Sequence, residues 1–194
     1  YGDDALRHFF FFYNESREDE NVIFVITGDH SLNLVYHNPL NAYHVPLIIW
    51  SPLLKKTQHF RSVVSHNDIA PSLTSLLKEN FGIMTPKNVH WVSDGLDTTV
   101  NFRSNLKTYF ITPSNKTTNC LYDNIFYIEK NGKDCLYKIN DSLYLNEIQD
   151  DSILDLMKER MSMMLYVDNY AYANNKLTKT PIIQPKNYEL LDSL

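Results

Sequence analysis

The sequence predicts an α/β protein in which a helix and buried strands come first, and a small antiparallel sheet with one closing helix follows. Three observations carry that expectation. Val22-Ile23-Phe24-Val25-Ile26 is continuously apolar, mostly β-branched and bounded by Gly28, the pattern of a strand buried on both faces in a parallel, helix-covered sheet. Beyond Thr85 the texture changes to short aromatic and β-branched runs around Asn131-Gly132, a strong two-residue hairpin signal. Ile153 to about Ala173 is rich in Met, Leu and Tyr at helical spacing.

In chain order, Ala5, Leu6, Phe9, Phe10 and Tyr13 recur at helical spacing and predict a helix from Asp3 to about Tyr13, ended by the polar stretch 14–21. After the first strand a second is expected at Val45–Trp50, closed by Ser51-Pro52, with Pro46 at its start because proline cannot donate a ladder hydrogen bond. Two helix starts then compete. Ser65 and Asp68 have the spacing of a capping box, but that start would put Pro71 beyond the first turn; Asp68 as N-cap is favoured, because Pro71 then occupies a first-turn position whose N–H is unbonded anyway. This helix runs through Leu73, Leu76 and Leu77, and Gly82 supplies a left-handed stop.

The runs at 109–111, 125–128 and 136–139 read as an antiparallel sheet. Asn131-Gly132 forms the hairpin tip joining 125–129 with 135–139, which sets Cys135 opposite about Ile128 rather than Cys120. On the closing helix Leu154, Met157, Met161, Met164 and Leu165 share one broad face, read as core rather than as a metal site. The organisation expected is an α/β part at 1–84, the sheet and packing helix at 85–174, and a polar surface tail at 175–194 interrupted by Pro181 and Pro185.

With 194 residues, 43% hydrophobic and 21% charged, the chain is ordinary globular material. Its net charge of -5 is spread without a basic stripe, which argues against a nucleic-acid partner. No apolar run approaches the roughly 18 to 20 residues that cross a bilayer. The chain opens on Tyr1 with an amphipathic segment already under way, so it reads as part of something longer and leaves the compartment open. Cys120 and Cys135 are too few for a disulfide framework and lack doubled C-x-x-C spacing; whether they pair stays open. The Asn-x-Ser/Thr triplets at Asn14, Asn115 and Asn140 carry no weight, since such short patterns arise by chance.

The chemically informative string is Thr27-Gly28-Asp29-His30, where a strand ends and the chain turns out of the sheet. Ligand sites of open α/β sheets lie at the carboxyl ends of strands, and Asp29 and His30 are expected at the end of a central parallel strand. A carboxylate beside an imidazole offers a hard oxygen and a nitrogen donor suited to a divalent cation, and Gly28 lets the backbone turn. The bland alternative is an Asp that caps a turn with a His at its edge. His44 and His66 are left out, because a His before a strand or at a helix start is more often a hydrogen-bonded surface residue, and Asp68 is read as a cap.

Three passages resemble one family. Val22–His30 looks like the strand ending in an Asp-His metal pair of sulfatases, Tyr43–Pro52 is similar to the following strand with its Val-Pro-Leu-Ile pattern, and Ser65–Leu73 resembles the family's Asp-Ile-x-Pro-Thr/Ser-Leu helix start. A weaker match, Gly95-Leu96-Asp97-Thr98 followed by Phe102, points toward the lipoteichoic acid synthase and phosphoethanolamine transferase branch of the alkaline phosphatase superfamily. Coverage is about residues 1 to 110.

The resemblance implies the C-terminal part of an alkaline-phosphatase-like sandwich, a mostly parallel sheet flanked by helices, with Asp29 and His30 as ligands of a divalent metal (manganese, zinc, calcium or magnesium). It also implies a nucleophile, further acidic ligands and substrate-binding residues upstream of this region, at positions this chain does not contain. The implied activity is hydrolysis of sulfate esters, or transfer or hydrolysis of phosphate esters, on a small-molecule, glycan or lipid substrate. The implied location is extracytoplasmic, with room for a membrane anchor upstream. The rival reading is a non-catalytic sulfatase-like binding or structural module.

Overall fold

The computed structural model describes residues 1–16, 21–31, 38–85, 89, 91–111, 117–174 and 176. By their contacts they form two compact units, Tyr1–His59 and Phe60–Leu194. Residues 60–84, grouped in the sequence with the α/β part, therefore lie in the second unit, and most of the expected tail falls outside the described residues.

In the first unit, helix α1 spans Gly2–Ser16, strand β1 Phe24–Thr27 and strand β2 Leu47–Trp50. The helical spacing of its rings lets α1 lay Phe9, Phe10 and Tyr13 against Phe24, with centroids 5.5, 5.3 and 4.9 Å away in edge-on contact. Trp50 lies across the ladder from Phe24 and completes the cluster at 5.7 Å. Such pairs contribute about 0.5–1.5 kcal/mol each beyond their buried area.

β1 and β2 pair antiparallel, Phe24 against Trp50 through Thr27 against Leu47, where the sequence predicts a central parallel strand. The connection explains the difference. A parallel return needs a crossover, usually helical, and among the described residues 28–46 hold only the 3-10 turn Pro39–Ala42. Nor are the apolar runs buried on both faces: Ile48 is 51% and Ile49 39% exposed.

In the second unit, β3 (Ser62–Val63) and β4 (Arg103–Ser104) form a short parallel pair. Between them in sequence, α2 spans Ile69–Phe81 with Asp68 as N-cap and Gly82 as a left-handed C-cap at φ 63°. The rival start is used as well, because the 3-10 turn His66–Asp68 precedes α2 and the Asp68 carboxylate accepts the Ser65 N–H at 2.5 Å. The segment after α2 docks on its start: Ser93 donates to the Asp68 carboxylate, and Ser72 Oγ donates to the Asp68 carbonyl at 2.8 Å while accepting the Leu96 N–H at 2.7 Å. Gly95 makes the approach with φ +117°, and a Cβ there would stand 2.9 Å from Ser72 Oγ.

Five strands follow as an antiparallel meander: β5 (Lys107–Ile111), β6 (Thr117–Tyr122), β7 (Ile125–Lys130), β8 (Lys133–Ile139) and β9 (Leu145–Ile148). The β7–β8 hairpin turns on Asn131 and Gly132, both at positive φ, and Cys135 pairs with Ile128, as the sequence predicts. The closing helix α3, Asp151–Ala173, is capped by the Asp150 carboxylate, which accepts the Ile153 N–H at 3.0 Å. Met157 meets Cys120, Tyr127 and Leu136 in a buried cluster, with Ile153, Leu154 and Met161 packed around it, so the Met-rich face is core.

One polar knot fastens this helix. The Tyr127 hydroxyl and the Lys158 ammonium both donate to Asp134, each at 2.7 Å. Lys158, first, and Tyr127 hold the Asp134 carboxyl below the usual carboxylate range. A depressed folded value means that the contribution is complete above the unfolded carboxylate value of about 3.9 and is lost as pH falls through the folded one.

Two predictions follow from this packing. Asp134→Ala strands the buried Tyr127 hydroxyl and lowers stability by about 1–3 kcal/mol, and it removes part of the acid-side loss; urea titrations between pH 3 and 7 read both, and equal pH slopes for the two proteins would refute the knot. Gly95→Ala costs about 1–3 kcal/mol from the positive φ and the Ser72 contact. Adding Ser72→Ala to it recovers only the contact part, so a loss of stability that is simply additive in the double variant would contradict this geometry.

Candidate metal site

β1 ends at Thr27, and the next three residues form the turn that carries the predicted pair. Gly28 is closely seated: a Cβ there would stand 3.3 Å from the Val45 side chain, so the turn leans directly on the segment entering β2.

Asp29 and His30 are brought together. The His30 backbone N–H donates to Asp29 Oδ1 at 2.9 Å, which leaves Oδ2 turned toward the imidazole, 3.4 Å from Nε2. His30 Nδ1 lies 2.7 Å from the Ser31 carbonyl oxygen. A carbonyl only accepts, so Nδ1 is the nitrogen that carries a proton in this contact, and whenever the ring is neutral its lone pair sits on Nε2. Both side chains are open to solvent, Asp29 at 87% and His30 at 73%.

The donor set fits a divalent cation. Ligand bonds of about 2.0 to 2.2 Å at a tetrahedral angle place two donor atoms roughly 3.4 Å apart, and an Nδ1–H held by a backbone carbonyl is the usual support of an Nε2 ligand. The pair supplies two donors of a shell of four or more. Among the described residues no group of three or more His, Cys, Asp or Glu side chains is placed to hold a metal.

The remaining candidates are accounted for elsewhere. Asp68 is buried at the start of α2, its carboxylate occupied by the Ser65 N–H and the Ser93 hydroxyl, while His44 and His66 are exposed. Cys120 and Cys135 are free thiols, and burial pushes the Cys120 thiol up to about 12, which leaves it protonated and inert as a ligand or nucleophile.

Ser31 is the residue that sequence reasoning passes over. Its hydroxyl donates to the Ala42 carbonyl at 2.5 Å, across eleven positions of chain, and a serine offers no local signal of such a contact.

One comparison concerns the segment bearing this turn. Residues 1–79 match the sulfatase family model. That stretch includes all three passages read above as sulfatase-like, from the Asp-His turn to the start of α2. No curated protein and no solved structure matches the chain. Sulfatases are generally hydrolytic enzymes and typically use metal ions, and the Asp29–His30 turn is chemically suited to that use.

Because both side chains stand in solvent, Asp29→Ala and His30→Ala are expected to leave folding stability within about 0.5 kcal/mol of wild type. Thermal and urea unfolding check this, and a loss of several kcal/mol would mean that the pair holds the fold rather than a ligand.

Proposed function

We propose that this chain supplies the Asp29–His30 part of the metal shell of a sulfatase-family ester-cleaving or ester-transferring site, in the lipoteichoic acid synthase and phosphoethanolamine transferase branch. The nucleophile and the remaining ligands come from residues outside this sequence. The observation that carries the reading is the convergence of Asp29 Oδ2 and His30 Nε2 within a segment that matches the sulfatase model.

In this role a bound divalent cation supplies Lewis-acid polarisation of a sulfuryl or phosphoryl oxygen and a lowered pKa at the nucleophile. The chain's own part is to present one carboxylate oxygen and one imidazole nitrogen, each on a side chain whose other polar atom is bonded to backbone. Preset donors of this kind retain the orientation that catalysis needs.

The substrate class proposed is a sulfate or phosphate ester of a small molecule, glycan or lipid, met outside the cytoplasmic membrane. The Gly95–Thr98 stretch supports the branch, and its docking on the start of α2 gives that stretch a structural role of its own.

The test pairs this chain with the full-length protein containing it. This chain binds manganese or zinc weakly and turns over neither a chromogenic sulfate ester nor a phosphodiester, because proximity and a positioned nucleophile are absent. The full-length protein shows metal-dependent turnover on one of them, and Asp29→Ala lowers its metal affinity on the order of 100-fold. Turnover by this chain alone, abolished by Asp29→Ala, would place a complete site within these residues. Full-length activity that survives the substitution would refute the ligand assignment, and a full-length protein inactive with every metal would favour a binding module.

A further inference from the structure

We propose that Ser31 is a positioning residue for His30, fixing the imidazole tautomer and aiming Nε2 at the point shared with Asp29. The proposal rests on the metal reading above for its purpose, but its geometry stands on this chain alone.

His30 is 73% exposed, and a solvated imidazole rotates and exchanges its proton between both nitrogens. Here the ring is held by one bond, from Nδ1 to the Ser31 carbonyl at 2.7 Å. A carbonyl orients a ring better when the residue carrying it is anchored, and Ser31 is anchored by its half-buried hydroxyl, which donates to the Ala42 carbonyl at 2.5 Å.

Ala42 belongs to a well-anchored element. It ends the 3-10 turn Pro39–Ala42, whose Leu40 is buried and whose cap Asn38 accepts the Leu40 N–H through Oδ1 at 2.9 Å. A path of hydrogen bonds thus runs from the exposed ring through Ser31 to a capped turn that is seated by an apolar side chain. On the other side of the pair, Asp29 Oδ1 is held by the His30 N–H. Asp29 Oδ2 and His30 Nε2 face each other at 3.4 Å.

Outer partners of this kind are worth about 10- to 100-fold in metal affinity, because without them the ligand pays the ordering entropy on binding. The hydroxyl is the specific requirement, since any residue at this position would offer the carbonyl.

The decisive comparison is Ser31→Thr against Ser31→Val, side chains of one shape that differ in the hydroxyl, with Ser31→Ala beside them. Imidazole nitrogen NMR on the metal-free chain reads the tautomer, and calorimetric titration with manganese and with zinc reads affinity. The wild type and Ser31→Thr hold His30 as the Nδ1–H tautomer. Ser31→Val and Ser31→Ala give mixed tautomers and about tenfold to hundredfold weaker binding, at unchanged thermal stability. A His30 tautomer unchanged in Ser31→Val and Ser31→Ala would overturn the proposal. A wild type that binds neither metal would overturn the metal reading instead, while the tautomer shift still decides the role of Ser31.

Discussion

The first unit depends on one ring. Phe24 is met by Phe9, Phe10 and Tyr13 of α1 and by Trp50 of β2, so a single residue of β1 ties the helix to both strands. A two-stranded ladder alone is marginal in water, and this apolar anchor is what gives β1 a defined end at Thr27. The turn that follows inherits its direction from there. Gly28 then sets the turn against Val45, and the Asp29–His30 pair stands in solvent beyond this aromatic base. Folding of this unit thereby rests on side chains other than the polar pair.

The second unit is organised differently, around polar knots at the ends of its elements. The start of α2 collects Ser65, Ser72, Ser93 and Gly95 about Asp68, turning one helix cap into the docking point for a loop more than twenty residues away. Asp97 plays a similar part: its carboxylate accepts Arg103 Nε at 2.6 Å and the Thr99 N–H at 3.0 Å, and the arginine, first, holds its carboxyl below the usual range. In the meander, alternate residues divide between two buried sides, as Cys120 beside Leu121 and Phe126 beside Tyr127 show. Only the side with Cys120, Tyr127 and Leu136 is sealed by Met157 of α3.

What was legible in the sequence was whatever local chemistry decides. Asn131-Gly132 can adopt the two positive φ angles of a tight hairpin, so both the turn and the register that sets Cys135 against Ile128 could be read directly. The α2 boundaries followed from Pro71 and Gly82 for equally local reasons, and the competition between Ser65 and Asp68 had two winners because a 3-10 turn takes one cap and the helix the other. The direction of β2 was not legible. A continuous apolar run states that a strand is covered but not which way its neighbour runs, and that is decided by the connection. In the candidate site the pair Asp29–His30 was visible as adjacent donors, whereas Ser31 was not, because its contact with Ala42 exists only once the loop has closed.

The sealing of Cys120 has a consequence for chemistry in time rather than in space. Its sulfur is fully buried beneath Met157, while Cys135 on the neighbouring hairpin strand is partly accessible and has no disulfide partner. A thiol reagent therefore meets two clocks on one sheet. Cys135 reacts as a partly accessible group, and Cys120 only as often as α3 lifts from the strands, so the lag between the two modifications measures how frequently the closing helix opens, with no substitution made in the protein.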